Sequence, residues 1–195
     1  IEVPLEWIVG SSPKEDHVLE LSLIDDMDEM VQSHRYAVIP GASLTTWGTG
    51  TRHGMTYSFQ VSPFLPSGLY RLEAILRPAE YEEQAMLSAH LSRVQVVARS
   101  RSYSVPVMEQ VAESVYGQDL RLLGYDLVQE SDALILTLHW QAMQRMDRDY
   151  KVFVHLFDPA TAVIVAQSDA VPRAWTYPTP WFEDGEVVSD EIVLL

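Results

Sequence analysis

The densest group of residues that could bind a ligand is an aromatic stretch near the end of the sequence. Four rings fall within eight residues and alternate with two prolines: Trp175, Tyr177, Trp181 and Phe182, with Pro178 and Pro180. Prolines hold such rings in place, and aromatic faces suit the C–H-rich faces of sugars. The stretch predicts either a sugar-stacking platform or a rigid loop whose rings close the end of a β-sandwich.

Acidic residues and histidines are the other candidates for chemistry. "DDMDE" at Asp25–Glu29 has the carboxylate density of a calcium loop, but it lacks the full EF-hand spacing, and an ordinary turn is the alternative. None of the six histidines shows the two-histidine helical spacing of a zinc site. His139 and His155 fall on strands that are expected to be neighbours, where they form either a metal or acid–base pair or part of a surface. We predict no metal and no cofactor.

Bulk composition excludes several classes of function. The 195 residues carry a net charge of −15, spread evenly along the chain, which argues against nucleic acid or an anionic membrane surface as a partner. There is no cysteine, so a disulfide scaffold and a thiolate site or nucleophile are excluded. Motifs for a nucleophile elbow, a phosphate loop or dinucleotide binding are absent. We therefore expect a protein that is not an enzyme.

A repeated segment indicates how these residues are positioned. "VPLEWIVGSSPKEDHVLELSLID" from Val3 aligns without a gap with "LTLHWQAMQRMDRDYKVFVHLFD" from Leu136. Trp7 aligns with Trp140, and Asp16 with Asp149. Apolar residues alternate at matching positions in both copies, which predicts strands with one buried face. "TTW" ending at Trp47 parallels "TPW" ending at Trp181.

The remaining segments also predict strands separated by turns. They are Met55–Ser62, Gly68–Leu76, Leu91–Ala98, Asp119–Val128 with a bulge at Gly124, and residues 185–195. Residues 79–90 are rich in helix formers and are predicted to be a hairpin connection with one helical turn. The predicted fold is all-β, with two tandem immunoglobulin- or fibronectin-III-like antiparallel sandwiches at 1–98 and 119–195 joined by a connector at 99–118.

The two copies contain different strands. The first lacks a counterpart of Asp119–Val128, and the second lacks a counterpart of "LPSGLYRLEAIL" from Leu65. We expect both sandwiches to be incomplete and the chain to be a piece of something longer. An incomplete edge is then completed by the connector, by the other repeat or by a second chain, which would give a dimer.

One strand of the second copy has an apolar outward face. Where the first copy has Glu20, Ser22 and Ile24, the second has Phe153, His155 and Phe157. Exposed phenylalanines on a flat sheet are costly in water, so another surface should cover them. We predict an interaction face that comprises His139, Phe153, His155 and Phe157.

The second copy resembles a known β-sandwich repeat. "GQDLRLLGYDL", "LTLHWQA", "DRDYKVFVHLFDP", "VAQSD" and "YPTPWFEDGEVVSDEIVL" resemble a repeat of the extracytoplasmic domains of bacterial polytopic membrane glycosyltransferases and related surface proteins. The first copy departs from the pattern at "GTGTRHGMTYSFQ". The resemblance implies a non-catalytic domain, at the cell surface or attached to the membrane, whose partners are other domains of its parent protein. A carbohydrate-binding module that uses the aromatic loop is the alternative.

Overall fold

The chain forms two compact β units in a computed structural model, which describes residues 1–80 and 87–195. Unit 1 comprises Ile1–Arg99 and unit 2 comprises Ser100–Leu195. All regular elements in the described ranges are strands, apart from two short 3₁₀ turns. None of the described residues belongs to a helix long and apolar enough to cross a membrane. The prediction of an all-β protein is therefore confirmed.

Unit 1 consists of two antiparallel sheets that share one core. Its strands are β1 (Glu2–Ile8), β2 (His17–Ile24), β3 (Met30–Ala37), β4 (Arg52–Ser58), β5 (Gly68–Pro78) and β6 (Leu87–Val96). β1 pairs with β4, and the other four strands form a sheet in the order β3-β2-β5-β6. Leu19, Leu21 and Leu23 of β2 are fully buried and pack against the apolar face of the β1–β4 pair.

Unit 2 also consists of a four-stranded and a two-stranded antiparallel sheet. Its strands are β7 (Gln110–Tyr116), β8 (Leu120–Gln129), β9 (Leu134–Ala142), β10 (Val152–Phe157), β11 (Ile164–Ala170) and β12 (Val187–Leu194). The large sheet has the order β12-β9-β8-β7, and β10 pairs with β11. Leu138 and Trp140 of β9 are buried in its core.

Two strand pairs of unit 1 have counterparts with the same register in unit 2. Trp7 of β1 lies opposite His53 of β4, three residues after the turn glycine Gly50, and Trp140 of β9 lies opposite Val188 of β12, three residues after the turn glycine Gly185. The pairs β2–β3 and β10–β11 both contain a register irregularity, which falls after Leu23 in unit 1 and after Leu156 in unit 2. The units differ in which of these pairs is extended into a four-stranded sheet.

This difference changes the predicted core. Leu5 and Trp7 of the two-stranded sheet belong to the alternating apolar set, which was predicted to form a buried face, but both are only half-buried. In unit 2 the same applies to Val152 and Val154, and Leu156 is 36% exposed. The apolar alternation gives the inward face correctly, but the depth of burial depends on the number of strands that cover that face.

Four segments differ from their predicted structure. Residues 100–118 of the predicted connector belong to unit 2, because they contain β7, which pairs with β8. Leu87–His90, predicted within a partly helical connection, are strand residues of β6. Residues 81–86 of that predicted connection lie outside the described residues. β3 and β11 are strands that the apolar alternation did not predict.

Candidate functional site

Unit 2 has an apolar groove beside β10. It has a volume of about 720 Å³. Its lining includes Leu138 and Trp140 of β9, Val152 and Val154 of β10, and Tyr116 of β7. The Tyr116 ring stands edge-on to the Trp140 ring, with centroids 5.6 Å apart. The groove thus has an aromatic and aliphatic floor that is continuous with the core of unit 2.

The groove lies beside an edge strand. β10 pairs with β11 along one side only, and within the described residues no strand pairs with its other side. In unit 1, β2 is paired on both sides, with β3 and with β5. An edge strand presents unpaired backbone N–H and C=O groups, so this side of β10 can accept another strand.

The outward face of β10 is strongly apolar. Phe153 is 63% exposed and Phe157 is 51% exposed. His155 lies between them and is also exposed, and its ring stands edge-on to Phe157 with centroids 5.9 Å apart. The structure therefore brings together three of the four residues that were predicted to form an interaction face.

His139 is not part of this face. It lies on β9, in the other sheet of unit 2, and is 4% exposed. Its ring nitrogens bond the Ser189 hydroxyl at 2.9 Å and the Asp126 carboxylate at 2.8 Å. The hydrogen bond from His139 lowers the pKa of Asp126, and the backbone N–H of Glu109 acts in the same direction. His139 and His155 were predicted to lie on neighbouring strands. This is wrong, because β9 lies between β8 and β12 in one sheet and β10 belongs to the other.

The outward side of β2 in unit 1 is also unlike the prediction. Glu20, Ser22 and Ile24 are buried rather than exposed. The Glu20 carboxylate accepts hydrogen bonds from Arg35 Nε at 2.8 Å and from Arg77 Nη2 at 3.3 Å, on the two flanking strands. Long side chains of β3 and β5 thus cover this face, which an alternating sequence pattern does not reveal.

The aromatic stretch of unit 2 is mostly internal. Tyr177 is 1% exposed and Phe182 is fully buried, with ring centroids 5.0 Å apart. Trp181 is half-buried and stands edge-on to Tyr177. Only Trp175 is largely exposed, and Lys151 Nζ lies 4.7 Å from the centre of its ring. The structure does not bring the four predicted sugar-binding rings together on the surface.

A buried ion pair holds this aromatic loop in place. Arg101 donates to the Tyr177 hydroxyl at 2.8 Å and to the Trp181 carbonyl at 2.7 Å, and it forms an ion pair with the buried Glu186 carboxylate. The Tyr177 hydroxyl donates to the other oxygen of Glu186 at 2.7 Å. Burial, together with this hydrogen bond, raises the pKa of Tyr177 well above its ordinary value. Sequence reasoning missed Arg101, because it lies far from the loop along the chain.

The acidic segment at Asp25–Glu29 forms a turn. The Asp25 carboxylate accepts hydrogen bonds from the backbone N–H groups of Met27 and Glu29, both at 2.9 Å. In unit 2 the Asp158 carboxylate accepts from the N–H of Ala160 at 2.8 Å in the turn that follows β10. Over residues 1–80 and 87–195, no cluster of three or more histidine or acidic side chains has the geometry to hold a metal ion.

Comparisons with known proteins add no relative to this description. Neither a protein-family model, nor a curated protein, nor a solved structure matches the chain.

Proposed function

We propose that this chain is a non-catalytic interaction module built from two copies of one β-sandwich repeat, immunoglobulin- or fibronectin-III-like, and that it belongs to a larger extracytoplasmic protein of a bacterium. The repeat is supported by the matching registers of β1–β4 with β9–β12 and of β2–β3 with β10–β11. The cellular context is supported by the resemblance of the second copy to domains of polytopic membrane glycosyltransferases. The partners are other parts of the parent protein.

The observation that carries the proposal is the surface around β10. It combines a strand edge that pairs with no strand of the described ranges, two largely exposed phenylalanines and an apolar groove of about 720 Å³. The groove and the outward face of β10 share Phe153 and His155, and exposed apolar patches on soluble proteins mark interaction sites. We call this surface the β10 surface: the free edge of β10, the side chains of Phe153, His155 and Phe157, and the groove.

The buried ionisable side chains that could act in catalysis form ion pairs and hydrogen bonds that stabilise the fold, which supports a non-catalytic role. Glu186 and Arg101 neutralise each other beside Tyr177, and Glu20 is paired with two arginines. His139 and Asp126 link neighbouring strands of the large sheet of unit 2. A buried polar network that is satisfied in this way rigidifies the structure around it.

Site-specific photo-cross-linking in the full-length parent protein tests this proposal. p-Benzoylphenylalanine placed at Phe153 should cross-link to another part of the parent, because position 153 lies on the proposed contact surface. The same residue placed at Val107, which is 99% exposed, is the matched control and should give no specific product. Equal cross-linking from both positions, or none from position 153 in folded protein, would contradict an interaction role for the β10 surface.

A further inference from the structure

We infer that the β10 surface binds an antiparallel β-hairpin of the same kind as β5–β6, whose first strand adds to the free edge of β10. This inference rests on the proposed function and identifies the partner. Unit 1 shows the arrangement within one molecule, because β5 pairs with β2 on the side where β10 has no neighbour within the described residues. The β2–β5 pairing is therefore a template for the occupied groove.

The register of that template defines the inward side of the hairpin. On β2, Leu19 lies opposite Leu76 and Leu21 lies opposite Ala74. The corresponding residues of β10 are Val152 and Val154, which are half-buried, whereas Leu19 and Leu21 are fully buried. The difference in burial is the effect expected from one missing strand pair. The hairpin must therefore present small and medium apolar side chains at alternate positions of its first strand.

The floor of the groove also indicates that the partner has an apolar inward face. In unit 1, Leu5 and Trp7 face Ala74 and Leu76 of β5 and Leu91 of β6 across a cavity of only about 310 Å³.

In unit 2 the corresponding floor residues, Leu138 and Trp140, line the groove of about 720 Å³. An apolar hairpin would fill this space and extend the core of unit 2.

The outward side of β10 restricts the partner further. In the template register, Glu20 lies opposite Ile75 and Ser22 lies opposite Glu73. Phe153 and His155 occupy the corresponding positions of β10, so a β5-like strand would place an aliphatic side chain beside Phe153 and a carboxylate beside His155. Cross-strand pairs of these kinds stabilise antiparallel sheets. The partner is thus a hairpin with an apolar inward face and an aliphatic–acidic pair on its outward face.

Disulfide trapping tests the register directly, because the chain has no cysteine of its own. The full chain is extended after Leu195 by a second copy of residues 61–97, so that the added strand follows β12 as β5 follows β4. One variant carries His155→Cys together with Glu73→Cys in the added copy. The control variant carries Phe157→Cys with the same added cysteine. We expect the first pair to form at least ten times more disulfide than the second under equilibrating redox conditions.

Amide hydrogen exchange provides a second measurement without cysteines. Addition of the hairpin should slow exchange of the N–H groups on the free edge of β10 at least tenfold. An added copy that carries Leu72→Asp and Leu76→Asp should leave that exchange unchanged. Equal disulfide yields at positions 155 and 157, or equal exchange with both added copies, would overturn the inference. Cross-links from Phe153 in the parent protein, obtained alongside either result, would keep the interaction module but assign it a different partner.

Discussion

Trp7 donates its indole N–H to the hydroxyl oxygen of Tyr57 at 3.1 Å across the β1–β4 pair. Tyr57 lies opposite Val3 in unit 1, and in unit 2 the position opposite Leu136 is occupied by Ile192. Isoleucine has no acceptor atom, and the indole N–H of Trp140 is buried without a hydrogen-bond partner among the described residues. The two tryptophans therefore share a strand position but differ in what stabilises them: Trp140 contributes through packing alone.

Replacement of Trp140 with alanine should strongly destabilise unit 2. The side chain is 5% exposed, and removal of a large buried ring leaves a cavity, so we expect a loss of about 3–5 kcal/mol in the free energy of unfolding. Urea unfolding followed by circular dichroism measures the change. Trp175→Ala is the matched control, because Trp175 is 56% exposed, and it should change stability by less than about 0.5 kcal/mol. Equal losses for both variants would show that Trp140 is not a core residue.

Glu20 should stabilise unit 1 through its two arginine partners. Glu20→Gln keeps the shape of the side chain but removes the charge from a carboxylate whose side chain is 3% exposed. We expect a loss of about 1–3 kcal/mol, since Arg77 is largely buried and Arg35 is half-exposed to solvent. Glu6→Gln is the control, because the Glu6–Arg52 pair is exposed on both sides and should contribute less than about 1 kcal/mol.

The contribution of Glu20 should also depend on pH. Burial raises the pKa of Glu20, but the hydrogen bonds and charges of Arg35 and Arg77 outweigh burial and hold it below its ordinary value of 4.5. A lowered pKa in the folded state gives stability that is fully present above the unfolded value and is lost as pH falls through the folded value. The difference between the native chain and Glu20→Gln should therefore be constant from about pH 7 to pH 5.5 and shrink below about pH 4. A difference that grows on acidification would contradict the lowered pKa.

Apolar alternation was sufficient to predict the fold class and the inward faces of β1, β2, β9 and β10. It could not predict which of these strands is central, because a strand covered on both sides and an edge strand show the same period of two. Leu23 and Leu156 illustrate this limit: they occupy matching positions, yet the first is fully buried and the second is 36% exposed. The site was predicted only in part for the same reason. Phe153 and Phe157 follow from the sequence, but the groove depends on strands that lie elsewhere in the chain.

Gly124 should be essential for the attachment of β7. The register of β8 against β9 shifts between Leu122 and Gly124, where the sequence predicted a bulge. A Cβ on Gly124 would lie 2.1 Å from the Gln110 carbonyl oxygen and 2.3 Å from Met108 Sδ. Gly124→Ala must therefore displace the backbone of β7, at a cost of about 1–3 kcal/mol or more.

The matched control for this prediction is Gly54→Ala. Gly54 also lies within a strand, β4, but a Cβ there meets no heavy atom within 4 Å. We expect Gly54→Ala to be neutral or slightly stabilising, because alanine reduces the freedom of the unfolded chain. Amide exchange of β7, measured for both variants, distinguishes local detachment from global loss of stability. Normal protection of β7 in Gly124→Ala would show that the close contact can relax.

Arg101 should be required for unit 2 to fold as a fragment. A fragment of residues 100–195 contains Arg101 and β7, whereas a fragment of residues 119–195, the boundary expected from sequence, contains neither. The shorter fragment leaves the carboxylate of Glu186 buried without its arginine and removes the outer strand of the large sheet. We expect the longer fragment to unfold cooperatively and the shorter one to remain unfolded.

In the whole chain, Arg101→Ala should cost about 3–5 kcal/mol, as expected when one partner of a buried ion pair is removed. Arg52→Ala, which removes an exposed pair, should cost less than about 1 kcal/mol. A cooperative transition for residues 119–195 equal to that of residues 100–195 would show that neither Arg101 nor β7 is required to close unit 2.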